Sequence, residues 1–231
     1  MVISGLQKLT LLDYPGHTAC TVFTPYCNWR CPFCHNAALV LRPEEQPAMD
    51  EEEIFSFLRR RKGLLDGVAV TGGEPTLHKD LPGFLRRVKD MGFAVKLDTN
   101  GTHPAVLRTV LAEGLADYVA MDIKAGRDNY PAVTGTLRPG LEAVEESASL
   151  LMEGRTDFEF RTTVVRGLHT TEDFLDIARW LAGDEKYFLQ AFKDSGDILA
   201  GEFSAFPREE MEQFRRTVLP AIPRTEIRGM D

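Results

Sequence analysis

Residues 67–101 read GVAVTGGEPTLHKDLPGFLRRVKDMGFAVKLDTNG and contain one full cycle of an alternation that runs through the chain. A short β-branched run, GVAVT (67–71), reads as a strand, and Asp80 then opens an amphipathic helix closed by Gly92. FAVKLD (93–98) is the next strand. Two strands joined by a helix lie parallel, because parallel neighbours need a crossover connection. Outward from this unit, strands fit TACTVF (18–23), YVAMDI (118–123), FEFRTTVV (158–165) and KYFLQAF (186–192). Several are apolar almost throughout, as expected of parallel strands covered on both faces. A helix fits the stretch after Asp50, with an acidic first turn and a basic last turn before Gly63. Others fit Pro104 to Gly114, Leu141–Glu153, Thr171–Leu181 and Arg208–Leu219.

Six strands alternating with helices predict an α/β protein with parallel strands and outer helices, as an open doubly wound sheet or a barrel. Six units fall short of an eight-fold barrel. No linker, low-complexity tract or internal repeat interrupts the pattern, so a single domain is expected over residues 1–231. It divides into an N-terminal extension (1–17), the strand–helix body (18–192), and a C-terminal helix and tail (193–231).

With 231 residues, 43% of them hydrophobic, the chain can bury a core without staples. Carboxylates outnumber lysine and arginine by 35 to 27, and the net charge of −8 argues against a nucleic-acid partner. The basic run Arg59-Arg60-Arg61-Lys62 falls on an expected helix and reads as a solvated face. No stretch approaches the roughly 20 apolar residues that span a bilayer. MVISGLQKLTLLDYPG lacks the basic start, apolar run and cleavage site of a signal peptide, so a cytoplasmic setting is expected. Disulfides are disfavoured there, which leaves metal or redox work for the cysteines. Cys20, alone in an apolar run, reads as a small buried side chain.

Ligands of parallel α/β proteins gather at the carboxyl ends of the strands, and the residues of chemical interest fall there. The loop YCNWRCPFCHN (26–36) follows the first strand, TGGEPTLH (71–78) the second, DTNG (98–101) the third and MDIK (121–124) the fourth. Arg161 and Gln190 lie in the fifth and sixth. Each feature alone has a plain structural reading. GGEP and DTNG suit turns, Asp122 and Lys124 suit an ion pair, and His35, His78, His103 and His169 suit local hydrogen bonds. Together they describe a pocket. The glycine pair allows close approach to backbone, Glu74 suits an ammonium group, and Asp98 and Asp122 suit hydroxyls or a cation. Lys124 and Arg161 suit a carboxylate. Such a set fits a zwitterionic amino acid attached to a sugar.

A structural zinc site closes with four ligands, usually as two separated pairs. Here Cys27, Cys31 and Cys34 have no second pair, and His35, adjacent to Cys34, is poorly placed to face the same metal. Three thiolates in one loop suit a cubic iron–sulfur cluster with one iron left open to a chelating amino acid.

The motif C-x3-C-x-aromatic-C, present as Cys27, Cys31, Phe33 and Cys34, together with GGEP, resembles the radical S-adenosylmethionine superfamily from the first strand onward. The resemblance implies a partial (β/α)6 TIM-type barrel, with Cys27, Cys31 and Cys34 holding a [4Fe–4S] cluster. It implies S-adenosylmethionine (SAM) contacts from Gly72, Gly73 and Glu74 to the amino group and from backbone around Phe33 to adenine, with Pro75 also among the cofactor-binding residues. Reductive cleavage of SAM to methionine and a 5′-deoxyadenosyl radical would follow, with no protein side chain as acid, base or nucleophile.

Within that superfamily YPGHTACTVFTPYCNWRCPFCHN, LDTNG and MDIK most resemble the activating enzymes of glycyl radical proteins, including the anaerobic ribonucleoside-triphosphate reductase type. That resemblance assigns Asp98, Asp122, Lys124 and Arg161 to the cofactor's methionine and ribose, and a shared monovalent cation to Asp98, Thr99 and Asp122. It implies a glycyl radical enzyme as protein substrate and an electron donor such as flavodoxin or ferredoxin. The chain departs from pyruvate formate-lyase activases, which have a histidine after the sixth strand where LQAFKDSG (189–196) stands. No cysteine follows Cys34, so no second cluster is expected, and a tail of one helix and a short end leaves the barrel mouth uncovered. The alternatives are a small radical enzyme acting on a free metabolite, such as a 7-carboxy-7-deazaguanine synthase, and a non-catalytic iron–sulfur or zinc protein.

Overall fold

The computed structural model describes residues 1–183, 186–194, 196, 198–199 and 202–230. One sheet holds eight strands in chain order: β1 (Gly5–Thr10), β2 (Ala19–Thr24), β3 (Gly67–Gly72), β4 (Ala94–Thr99), β5 (Tyr118–Asp122), β6 (Asp157–Val164), β7 (Tyr187–Ala191) and β8 (Thr225–Arg228). From β2 to β8 every neighbouring pair is parallel, and β1 lies antiparallel on β2. The six expected strands are β2 to β7.

The count of six is corrected at both ends. β1 lies in the segment expected as an extension, and its central residues are exposed at a sheet edge, so they lack an apolar signal. β8 lies in the tail expected as a short end, and four residues are too few to show a period. The two added strands are the edges of the sheet.

The helices are α1 (Ala37–Leu41), α2 (Glu51–Arg61), α3 (Leu81–Asp90), α4 (Pro104–Ala112), α5 (Tyr130–Thr134), α6 (Leu141–Met152), α7 (Thr171–Trp180) and α8 (Arg208–Val218). Asp50 caps α2 by accepting the Glu52 N–H, and Thr170 with Asp173 forms a capping box on α7. α1 and α5, of five residues each, were not expected from the sequence. Residue 195, within the 189–196 segment, is outside the described residues.

The apolar core lies between one face of the sheet and the helices. Val68, Val70, Val95, Leu97, Val119 and Phe160 alternate along their strands and pack into one cluster with helix residues such as Phe55, Leu85 and Val110. The other face is polar, which corrects the expectation of strands apolar on both faces. In register across it stand Lys96 with Tyr118, Asp122 with Arg161, Thr163 with Gln190, and Gln190 with Arg228. Among the described residues, no helix is long and apolar enough to cross a membrane.

Candidate cofactor site at the strand ends

The cysteine loop is built into the fold. Trp29, 2% exposed, donates its indole N–H to the Pro139 carbonyl at 3.0 Å and meets Tyr130 edge-on. Arg30 donates from Nη1 to the carbonyls of Cys27 and Trp29 at 2.7 and 2.8 Å, and the Cys34 N–H closes a turn onto the Cys31 carbonyl at 3.0 Å. Tyr26 takes a positive φ of 68° at the start of the loop.

Gly72 and Gly73 explain how this loop reaches the sheet. Asn36 donates to the Gly72 carbonyl at 2.8 Å, and the Glu74 N–H reaches the Tyr26 carbonyl at 2.7 Å. A Cβ on Gly73 would overlap that same carbonyl oxygen, and one on Gly72 the backbone of Thr24. The glycine pair therefore serves backbone-to-backbone contact with the cysteine loop, in addition to leaving the cavity open. Pro75 starts a short 3-10 turn (Pro75–Leu77), so the turn reading of GGEP also holds.

A cavity of about 440 Å³ opens here, within the usual size range for cofactor sites. It is lined by all three loop cysteines together with Phe33, Gly72, Gly73, Glu74, Asp98, Thr99, Asp122, Lys124 and Arg161. Burial raises all three thiols, Cys27 to about 11 and Cys31 to about 12, with nearby Lys124 acting in the opposite direction. At neutral pH these groups are protonated unless a bound cationic centre holds them as thiolates. Among the described residues, no three His, Cys, Asp or Glu side chains gather closely enough to hold a single metal ion. The three thiols line one cavity, and a donor set of cysteines alone suits an iron–sulfur cluster. Cys20, fully buried in β2, belongs to the core as expected.

Glu74 is 1% exposed, and its carboxylate is already engaged. It accepts from the Thr76 N–H at 3.0 Å, the Thr99 hydroxyl at 2.8 Å, the Asn100 N–H at 2.6 Å and the Thr76 hydroxyl. Burial raises its pKa against these hydrogen bonds. Its carboxylate ties the loop after β3 to the loop after β4.

The cavity wall carries a linear charge network. Lys96 pairs with Asp98, Asp98 with Arg161 Nη2 at 3.1 Å, Arg161 Nε with Asp122 at 2.6 Å, and Asp122 with Lys124 at 2.8 Å. Burial, the largest influence on each carboxyl, would raise both, but Arg161 with Lys96 or Lys124 carries Asp98 and Asp122 below the usual range. Burial likewise opposes charge on Lys124 and Arg161, and the carboxylates outweigh it. The expected Asp122–Lys124 pair is therefore present. Asp98, Thr99 and Asp122, expected to share a cation, have protein partners throughout.

Of the histidines, His78 bonds to the Pro25 carbonyl, His103 to the hydroxyls of Thr76 and Thr102, and His169 to Val165 and Lys124 backbone. His35 meets the ring of Phe192. Reading the sequence missed Lys96, Glu159 and Arg228 on the polar face. It also missed a side-chain ring of Asn28, Asn100 and Thr102 beside Cys27. The spacings Lys96/Asp98 and Glu159/Arg161, each two apart on a strand, carried a signal for that face.

A parallel partial barrel with three cysteines and a glycine pair at its strand ends defines a class of cofactor enzymes. The chain belongs to the radical SAM superfamily, which matches residues 21–181. Membership implies a [4Fe–4S] cluster and SAM. A Methanocaldococcus jannaschii protein, provisionally named a glycyl-radical enzyme activating enzyme, is 34% identical over 93% of this chain and 89% of its own. A Thermococcus kodakarensis protein, provisionally named a GTP 3′,8-cyclase, is 29% identical over 64% of this chain, which spans only 48% of that relative. A solved domain of pyruvate-formate lyase-activating enzyme from Bacteroides vulgatus matches 71% of this chain and 99% of its own, with a TM-score of 0.58 at 19% identity. That likeness shows a shared fold.

Proposed function

We propose that this enzyme is a glycyl-radical-enzyme activating enzyme, with a partner of the anaerobic ribonucleoside-triphosphate reductase type. In this reading Cys27, Cys31 and Cys34 hold the [4Fe–4S] cluster. Backbone at Gly72, Gly73 and Glu74 receives the amino group of SAM, and backbone around Phe33 receives the adenine. Lys124 and Arg161 face the cofactor carboxylate, while Asp98 and Asp122 orient ribose and keep both cations in place. Their charge is already balanced by Lys96, Lys124 and Arg161, so we assign no monovalent cation there. When bound, the reduced cluster would pass one electron to SAM, which would part into methionine and a 5′-deoxyadenosyl radical able to take a hydrogen atom from a glycine. The chain's own work is to orient the cofactor and admit the substrate. A reducing, cytoplasmic setting and an external electron donor such as flavodoxin or ferredoxin suit this chemistry.

One observation carries the choice of a protein substrate. Asp13, Asp98, Arg161 and Gln190 line both the cofactor cavity and a second cavity that runs to the gap beside β8. Leu11 and Leu12 edge that second cavity, 69% and 89% exposed. An apolar edge beside a cavity that shares its wall with the cofactor site suits a chain segment carried by a larger protein. The near full-length similarity to the Methanocaldococcus jannaschii protein supports the same reading.

The test is to mix reduced, SAM-loaded enzyme with an anaerobic ribonucleoside-triphosphate reductase and record its electron paramagnetic resonance (EPR) spectrum. A glycyl doublet is expected. Nucleoside release with GTP or another free metabolite, and none with the protein, would favour the second reading suggested by the cyclase relative.

A further inference from the structure

We propose that Asn100 tunes the reduction potential of the cluster by donating a hydrogen bond to the sulfur of Cys27. The inference rests on Cys27 being a cluster ligand, as proposed above. Asn100 follows β4 and is 5% exposed. Chemistry sets the orientation of its amide. Oδ1 accepts from the Thr102 backbone N–H at 3.0 Å and from the Thr102 hydroxyl at 2.7 Å, and an amide NH2 cannot accept from a backbone N–H. Nδ2 therefore faces the cysteine loop. Nδ2 donates to Asn28 Oδ1 at 2.9 Å and on the same side approaches Cys27 Sγ at 4.0 Å, a long contact for a donor to sulfur.

Asn28 Nδ2 donates in turn to Thr102 Oγ1 at 3.0 Å, which closes a ring of three side chains between the cysteine loop and the loop after β4. From the other side, the backbone N–H of Trp29 reaches the same sulfur at 3.4 Å. The Asn100 backbone is itself held by Glu74. A connected path thus runs from the glycine-pair motif, through Asn100, to the sulfur of Cys27.

Hydrogen bonds to ligand sulfurs are one of the protein's means of setting a cluster's potential. A donor at sulfur stabilises the more negative, reduced state, so losing it makes reduction harder. Asn100→Leu removes the donor, and the near-isosteric Asn100→Asp replaces it with an acceptor. Thr102→Val leaves Asn100 in place but removes the hydroxyl that holds it.

The experiment is anaerobic reconstitution of the full chain with iron and sulfide, followed by an EPR-monitored redox titration without SAM or partner. Asn100→Leu should shift the reduced-to-oxidised ratio at a given potential by up to about tenfold toward oxidised, a fall of about 59 mV for one electron. Asn100→Asp should shift it further in the same direction, and Thr102→Val less. If Asn100→Leu fails to hold a cluster, Thr102→Val decides. Clusters that form normally and titrate at the wild-type potential in every loaded variant would overturn the inference and leave the cluster assignment standing. A wild-type chain that binds no cluster would overturn both. A shifted potential in a chain that activates no protein partner would support Asn100 and count against the activase reading alone.

Discussion

Gly73 shows how a residue's role can differ from the one its motif suggests. GGEP reads as an opening for a ligand, yet the missing Cβ first makes room for the Tyr26 carbonyl. Gly73→Ala sets side chain against backbone, with no flexible end to yield, so the cysteine loop must shift. We expect a loss of about 2 kcal/mol or more in urea unfolding and weakened iron uptake on reconstitution; unchanged values in both assays would contradict this account of the loop. Titratable residues give a second expectation, for the cluster-free chain. Asp98 and Asp122 have depressed pKa values in the folded state, so the stability they contribute is present above their unfolded value of about 3.9 and lost as pH falls. Cys27 and Cys31 are raised to about 11 and about 12, so their contribution is full below an unfolded value of about 8.5 and lost as pH rises toward those values. The part of the urea midpoint set by these four groups should be level between about pH 5 and 8 and fall on both sides. The alkaline fall should shrink in a Cys27→Ala/Cys31→Ala double variant; an equal fall in that variant would sink the thiol argument.

At the scale of elements, β8 holds the polar face together at its edge. Arg228 donates through both terminal nitrogens to Glu159, at 2.9 and 3.0 Å, and its guanidinium lies over the Phe188 ring. Glu159 is 1% exposed, and its other partner is the Tyr118 hydroxyl at 2.8 Å. Arg228→Met leaves a buried carboxylate with, among the described residues, the Tyr118 hydroxyl as its donor. Removing a partner from a fully buried pair costs about 3–5 kcal/mol, and Arg228, about a third exposed, should fall lower, at about 2 kcal/mol by urea unfolding. A loss below about 0.5 kcal/mol would mean that the edge strand is not anchored this way. The six central strands were legible because Val, Ile and Phe alternate with helices whose ends are marked by Asp50, Gly92 and Gly114. β8 was not, because TEIR is short and its anchoring partner, Glu159, lies far off in β6. The cysteines and the glycine pair were legible as local motifs. The Asn28–Asn100–Thr102 ring was not, because it joins loops about 70 residues apart in the chain.

The whole molecule is an open barrel with an apolar outer core, a polar inner face, and two cavities, one at the cofactor site and one beside β8, that share Asp13, Asp98, Arg161 and Gln190 in their walls. If the cavity beside β8 receives a protein, Leu11→Ser/Leu12→Ser should raise the partner concentration needed for half-maximal activation by about tenfold. Uncoupled 5′-deoxyadenosine release should be unaffected, since neither leucine lines the cofactor cavity. Equal loss in both assays would mean that the loop supports the fold rather than docking. Beneath that question lies the radical chemistry itself. It is tested most directly by reconstituting the chain anaerobically, reducing it, recording its EPR spectrum before and after addition of SAM, and assaying 5′-deoxyadenosine, with Cys34→Ala as control. The account predicts a reduced [4Fe–4S] signal that changes when SAM binds, release of the nucleoside, and neither in the control. A well-formed cluster whose signal is indifferent to SAM and which releases no nucleoside would contradict it.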